Sequence, residues 1–80
     1  MNNIDFIKKL RKIEPRFMNQ GKNFLMNINN FQVLAIFKQE TYDVDIMENY
    51  HIFKTWHVDE EDILYFLIYF KMKTRRSKNG

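Results

Sequence analysis

Eighty residues, 45% of them hydrophobic and 16% aromatic, define one domain near the lower end of what folds alone, and so much apolar area argues against a disordered chain. The chain has no cysteine, and its longest apolar run, Ile63 to Phe70, spans eight residues; this argues against a disulfide-stapled secreted domain, favours the cytoplasm, and falls short of the roughly 20 residues a bilayer crossing needs. The net charge of +3 divides into +3 over residues 1–16, +1 from Lys22, −6 over residues 38–62 and +5 over residues 71–80, whereas a general phosphate binder is expected to be basic throughout.

The start, "MNNIDFIKKLRK", contains no uninterrupted apolar run of the signal-peptide kind. Residues 3–14 predict an amphipathic helix: Ile4, Phe6, Ile7, Leu10 and Ile13 gather on one side, and Lys8, Lys9 and Lys12 on the other. Asn2 or Asn3 can cap it, Asp5 suits the positive end of the helix dipole, and Pro15 ends it.

Residues 17–37 are ambiguous. Phe17, Gly21, Phe24, Leu25, Ile28, Phe31 and Ala35 have a helical spacing, but the many asparagines are poor helix formers. A hairpin fits better. Phe24, Met26 and Ile28 alternate, Asn29-Asn30 can turn, and Phe31, Val33, Ala35 and Phe37 alternate again.

"TYDVDI" has the cleanest period of two, with Tyr42, Val44 and Ile46 on one side and Asp43 and Asp45 on the other. A turn at Glu48-Asn49 would lead into "YHIFKTWHV", setting Asp43 opposite Lys54 and Val44 opposite Phe53. As a strand, that segment would put His51 and His57 on one face.

Asp59 reads as an N-cap, with Glu60, Glu61 and Asp62 in the first turn and Asp62 completing a capping box; Lys71, Lys73, Arg75 and Arg76 close the last turn. This acid-first, base-last order favours a helix over residues 59–74, although Ile, Tyr and Phe also suit a strand. The expected architecture is therefore α+β: an N-terminal helix, a four-stranded antiparallel meander and a C-terminal helix. The alternative is a small all-α bundle. Residues 1–74 form one compact domain in this reading, and residues 75–80 a basic flexible tail.

The closing helix has no polar side. Ile63, Phe66, Leu67 and Phe70 can face the core, which leaves Leu64, Tyr65, Ile68, Tyr69 and Met72 for a second copy or another protein. Closed two-fold dimers are the commonest way to cover such a face. The bland alternative is that the first helix and the loops cover it.

The basic residues Lys8, Lys9, Lys12, Lys71, Lys73, Arg75 and Arg76 are candidate phosphate contacts, and exposed rings could stack on bases. The order of four strands then a helix is similar to small single-stranded-DNA-binding folds of the transcription-coactivator type, in element order alone. If both helices present their cations on one surface away from Asp43, Asp45 and Glu60, nucleic-acid binding gains support.

Catalysis has little to stand on. Ser77 lies in the tail, the threonines lack an evident base, and two glycines cannot build a phosphate loop. His57 with a nearby acid is the one pair of interest. His51, His57 and the acids at 59–62 lack the fixed spacing of a zinc site. The expectation is a non-enzymatic cytosolic binding protein, a regulator or inhibitor working through protein contacts, with no cofactor, metal, membrane or small-molecule substrate. An Asn- and Lys-rich, Gly- and Pro-poor composition fits a phage or plasmid gene of low GC content. The alternative function is a nucleic-acid-binding module.

Overall fold

The computed structural model describes residues 2–75. Helix α1 (Asn3–Ile13) leads into strands β1 (Phe17–Gln20), β2 (Asn23–Ile28), β3 (Phe31–Lys38), β4 (Thr41–Glu48) and β5 (His51–Asp59). A 3₁₀ turn (Glu60–Asp62) then runs into α2 (Ile63–Thr74). The strands make a single antiparallel sheet in chain order, β1-β2-β3-β4-β5. The class is α+β, with five strands rather than the expected four, and the sheet rules out the all-α alternative. The additional strand, β1, is short and mostly exposed, so it has little periodicity to read.

Local chemistry sets the element ends. The Asn2 side chain accepts from the Asp5 backbone N–H at 2.8 Å and caps α1. Extended backbone at Glu14, ahead of Pro15, stops the helix. Every strand connection is a two-residue turn, with positive φ at Gly21, Asn29, Gln39, and both Asn49 and Tyr50. Paired positive-φ turns match the twist of the flanking strands.

The last turn therefore sits at Asn49-Tyr50 and not at Glu48-Asn49. Asp43 pairs with His57 and Val44 with Trp56, which corrects the expected register. A bulge adds to the difference: Ile46 pairs with Lys54 but Met47 pairs with Ile52, so Phe53 has no partner on β4. A one-residue slip exchanges the two faces of a strand. His51, opposite Glu48, and His57, opposite Asp43, consequently lie on opposite faces of the sheet.

Both helices pack on the same face. The core there consists of Phe6 and Leu10 from α1, Ile63 and Leu67 from α2, and inward residues of β2, β3 and β4. Phe6, Phe24 and Tyr42 bring their rings within 5.8 to 6.1 Å of one another. The Tyr42 hydroxyl donates to the Lys22 carbonyl at 2.8 Å. Burial pushes this phenol well above the ordinary tyrosine range, and the nearby Glu60 adds to the effect.

The helix ends are tied to their surroundings. Lys71 on α2 donates to the Ile13 carbonyl at the end of α1 and lies 3.7 Å from the Glu14 carboxylate. Glu14 is buried and accepts from the Arg16 guanidinium at 2.9 Å and the Arg16 N–H at 3.1 Å. That side-chain hydrogen bond holds its carboxyl below the usual range, although burial alone would raise it. At the far end, Asn29 in the β2–β3 turn donates to the Lys71 carbonyl at 3.1 Å and the Thr74 hydroxyl at 2.8 Å.

The start of α2 departs from expectation. Asp59 makes no side-chain cap hydrogen bond, and residues 60–62 form the 3₁₀ turn in place of the first α-helical turn with its capping box. The acids still cluster where the helix dipole favours them.

Candidate protein-binding surfaces

Helix α2 carries apolar side chains in almost every direction, but only Ile63 and Leu67 are fully buried. Phe66 and Phe70 are half-buried against the core and lean toward β5. On the outer side, Leu64 is half-buried, whereas Tyr65 (75%), Ile68 (44%), Tyr69 (61%) and Met72 (68%) remain exposed. The contact between the helices, anchored by the Lys71–Ile13 hydrogen bond, accounts for the partial cover of Leu64. Ile68 is partly covered in the same way, and Tyr65, Tyr69 and Met72 stay mostly uncovered by the described residues.

A shallow groove runs between the two helices. Its floor is apolar, formed by Ile13, Leu64, Ile68 and Met72, and Lys9, Lys12, Lys71 and Arg75 border it. Tyr65 and Glu61 lie at one end. Four of the candidate phosphate contacts therefore share one surface. Lys8 lies on the solvent side of α1, about 200° from both Phe6 and Leu10 on the helical wheel. Lys73 borders a different groove, and Arg76 falls outside the described residues.

That second groove lies between α2 and β5 and has a volume of about 460 Å³. Ile46, Phe53, Trp56, Phe66, Tyr69 and Phe70 line it, with Lys54 and Lys73 as its polar members. Trp56 packs on Phe66 at 6.0 Å between ring centroids, and Phe53 on Phe31 at 5.5 Å. The Lys54 ammonium sits 4.8 Å from the Trp56 ring centroid and the Lys73 ammonium 5.6 Å from that of Tyr69, distances at which a cation is attracted to the ring face. Sequence reasoning set Phe53 opposite Val44 and counted Trp56 only as a strand former. The alternation that could have marked them as one face breaks at the bulge.

The sheet face opposite the helices carries no layer. Strand register puts Met18, Leu25 and Leu34 in one cross-strand row with Asp45 and Thr55. Along this row the β1–β3 members are apolar and the β4–β5 members polar. His57 Nδ1 lies 2.7 Å from the Asp43 carboxylate on this open face; neither residue borders any of the grooves described. Asp59, Glu61 and Asp62 bring carboxylate oxygens within 4.8 Å of one another, all exposed, at the helix start where such acids are electrostatically favoured.

No protein-family model, curated protein or solved structure matches the chain. Among the described residues no helix is long and apolar enough to cross a membrane.

Proposed function

We propose that this chain is a small non-enzymatic binding protein that acts by laying the outer side of α2 against another protein. One observation carries the reading: α2 is apolar nearly all round, yet Tyr65, Ile68, Tyr69 and Met72 stand in water. Covering a few hundred Å² of such surface is worth several kcal/mol at about 25 cal/mol per Å². Tyrosine and methionine also suit an interface, joining large apolar bodies to a polar tip or a flexible thioether. The His57–Asp43 pair on an open face gives an enzyme reading no cleft to work in. A cytosolic regulator or inhibitor of phage or plasmid origin is the role that size, composition and the absence of cysteine fit best.

The test is sedimentation at micromolar concentration together with capture from the native cell, for the wild type and for Tyr65→Glu/Met72→Glu. Neither changed residue borders the β5 groove. A wild-type dimer, or a captured protein, that is lost in the variant at unchanged circular dichroism supports the reading. A monomer whose captured set is the same with and without the substitutions overturns it.

A second reading, nucleic-acid binding, is favoured by Lys9, Lys12, Lys71 and Arg75 around one groove. It ranks below protein binding because the Lys71 ammonium is engaged by the Ile13 carbonyl and Glu61 borders the same groove. Phosphate contacts weaken steeply with salt. A mixed oligonucleotide that fails to bind at low salt removes this reading.

A further inference from the structure

We infer that the groove between α2 and β5 receives an extended segment of a partner protein, apolar with interspersed carboxylates, which adds to β5 as a sixth strand. The inference rests on the protein-binding reading and assigns that binding a second surface.

Three observations combine. The first is the free edge. β5 is the last strand of the sheet, so its outward N–H and C=O groups have no strand partner. Such an edge is a template for strand addition, which natural folds blunt with short strands, proline, charge or cover. The opposite edge, β1, has four residues; β5 has nine, contains no proline, and is exposed at all but Val58.

The second is the groove beside that edge. An added strand places alternate side chains on the helix-bearing side of the sheet. There they would meet Phe53, Trp56, Phe66, Tyr69 and Phe70. A partner without apolar side chains at those positions would leave these rings uncovered.

The third is charge. The charged side chains of the groove are Lys54 and Lys73, and among the described residues no carboxylate lines it. Lys54 pairs with Ile46, a core residue, and so sits on the helix-bearing side of the edge strand. A lysine directed inward on an edge strand discourages indiscriminate pairing. A carboxylate between Lys54 and Lys73 removes that obstacle. A second copy does not: antiparallel pairing of β5 with itself about Thr55 sets the two Lys54 side chains on the same side of the sheet, two residues apart. The charge pattern thus selects an acidic-apolar strand over self-pairing.

Trp56 is the only tryptophan, which makes the groove directly observable. The probe is a capped nine-residue peptide with phenylalanine, glutamate and isoleucine on one strand face and threonine on the other. Its control carries lysine in place of glutamate. Binding to the full chain is read by Trp56 emission and by hydrogen exchange of the β5 amides. The expected result is a blue shift, slowed exchange between Lys54 and Val58, and a control about tenfold weaker, the scale of two partly exposed charge pairs. Lys54→Glu/Lys73→Glu should invert the preference. Equal binding of both peptides, or no change in β5 exchange, overturns the inference. So does β5 protection that grows with protein concentration in the absence of peptide, since a second copy is then the occupant. If the peptide fails while Tyr65→Glu/Met72→Glu still abolishes partner capture, strand addition is wrong and the α2 reading survives.

Discussion

Asn29 does two jobs at one position. Its backbone takes the positive φ of a tight turn, and its side-chain amide holds the Lys71 carbonyl and the Thr74 hydroxyl in the last turn of α2. The two roles separate by substitution. Asn29→Gly keeps the turn and loses the cap, and should cost about 1 kcal/mol, the usual net value of such hydrogen bonds. Asn29→Ala also replaces a residue that tolerates the left-handed region with one that does not, and should cost roughly 1 kcal/mol more. Urea denaturation measures both; equal losses would mean the turn contributes no strain. Glu14 sets the acid limit. Arg16 holds its carboxyl below the usual range, so on acidification the unfolded chain takes up its proton first. The stabilisation is complete above the ordinary glutamate range and is lost as pH falls through the lowered folded value. Glu14→Gln should flatten the acid limb of a stability-versus-pH curve, and an unchanged limb would show that Glu14 does not drive it. The turn at Asn29 was legible in the sequence, because asparagine tolerates positive φ. The cap was not, since its partner lies 42 residues away.

At the level of elements, legibility followed periodicity. The stripe of α1 and the alternation in β4 could be read directly; in β2 and β3 a helical spacing competed with the alternation, and the asparagines, poor helix formers, decided for strands. β1 escaped because Phe17 is followed by Met18, Asn19 and Gln20, all exposed; the clue was Gly21, whose positive φ marks a turn. β5 was recognised as a strand from its β-branched and aromatic residues, but its register was lost at the Phe53 bulge, which no local pattern announces. The apolar outer side of α2 was legible from its run of apolar residues; the groove beside it depends on how β5 and α2 meet and had no local signal. The two sides of α2 should respond very differently to truncation. Leu67→Ala, which empties a fully buried site, should cost about 2–5 kcal/mol. Met72→Ala on the exposed side should cost under about 0.5 kcal/mol. A comparable loss at Met72 in dilute monomer would mean that side is covered within the chain after all.

Over the whole molecule, among the described residues, one face of the sheet carries two helices and the other carries none, so the buried apolar side chains gather on a single side. The α+β class was legible because a helical period opens the chain, a period of two marks its middle and an acid-first, base-last order marks its closing helix; the strand count and the open face were not. The two-residue connections have a further consequence, which is temporal. Each strand pairs only with its neighbours in sequence, so the sheet can zip from any one turn at small loop-closure cost. The contacts that close large loops belong to the two helices, through Phe6 with Tyr42, Lys71 with Ile13 and Asn29 with Lys71; α1 reaches the sheet only through such contacts. Folding should therefore proceed on the order of milliseconds, with the central hairpins formed in the transition state and α1 docking afterwards. In stopped-flow experiments Val33→Ala should slow refolding, while Leu10→Ala should mainly speed unfolding. Equal slowing of refolding by both would contradict that order. If it holds, the earliest opening from the native state releases α1 first and bares the aromatic cluster around Phe24 and Tyr42, while β2 to β4 stay paired.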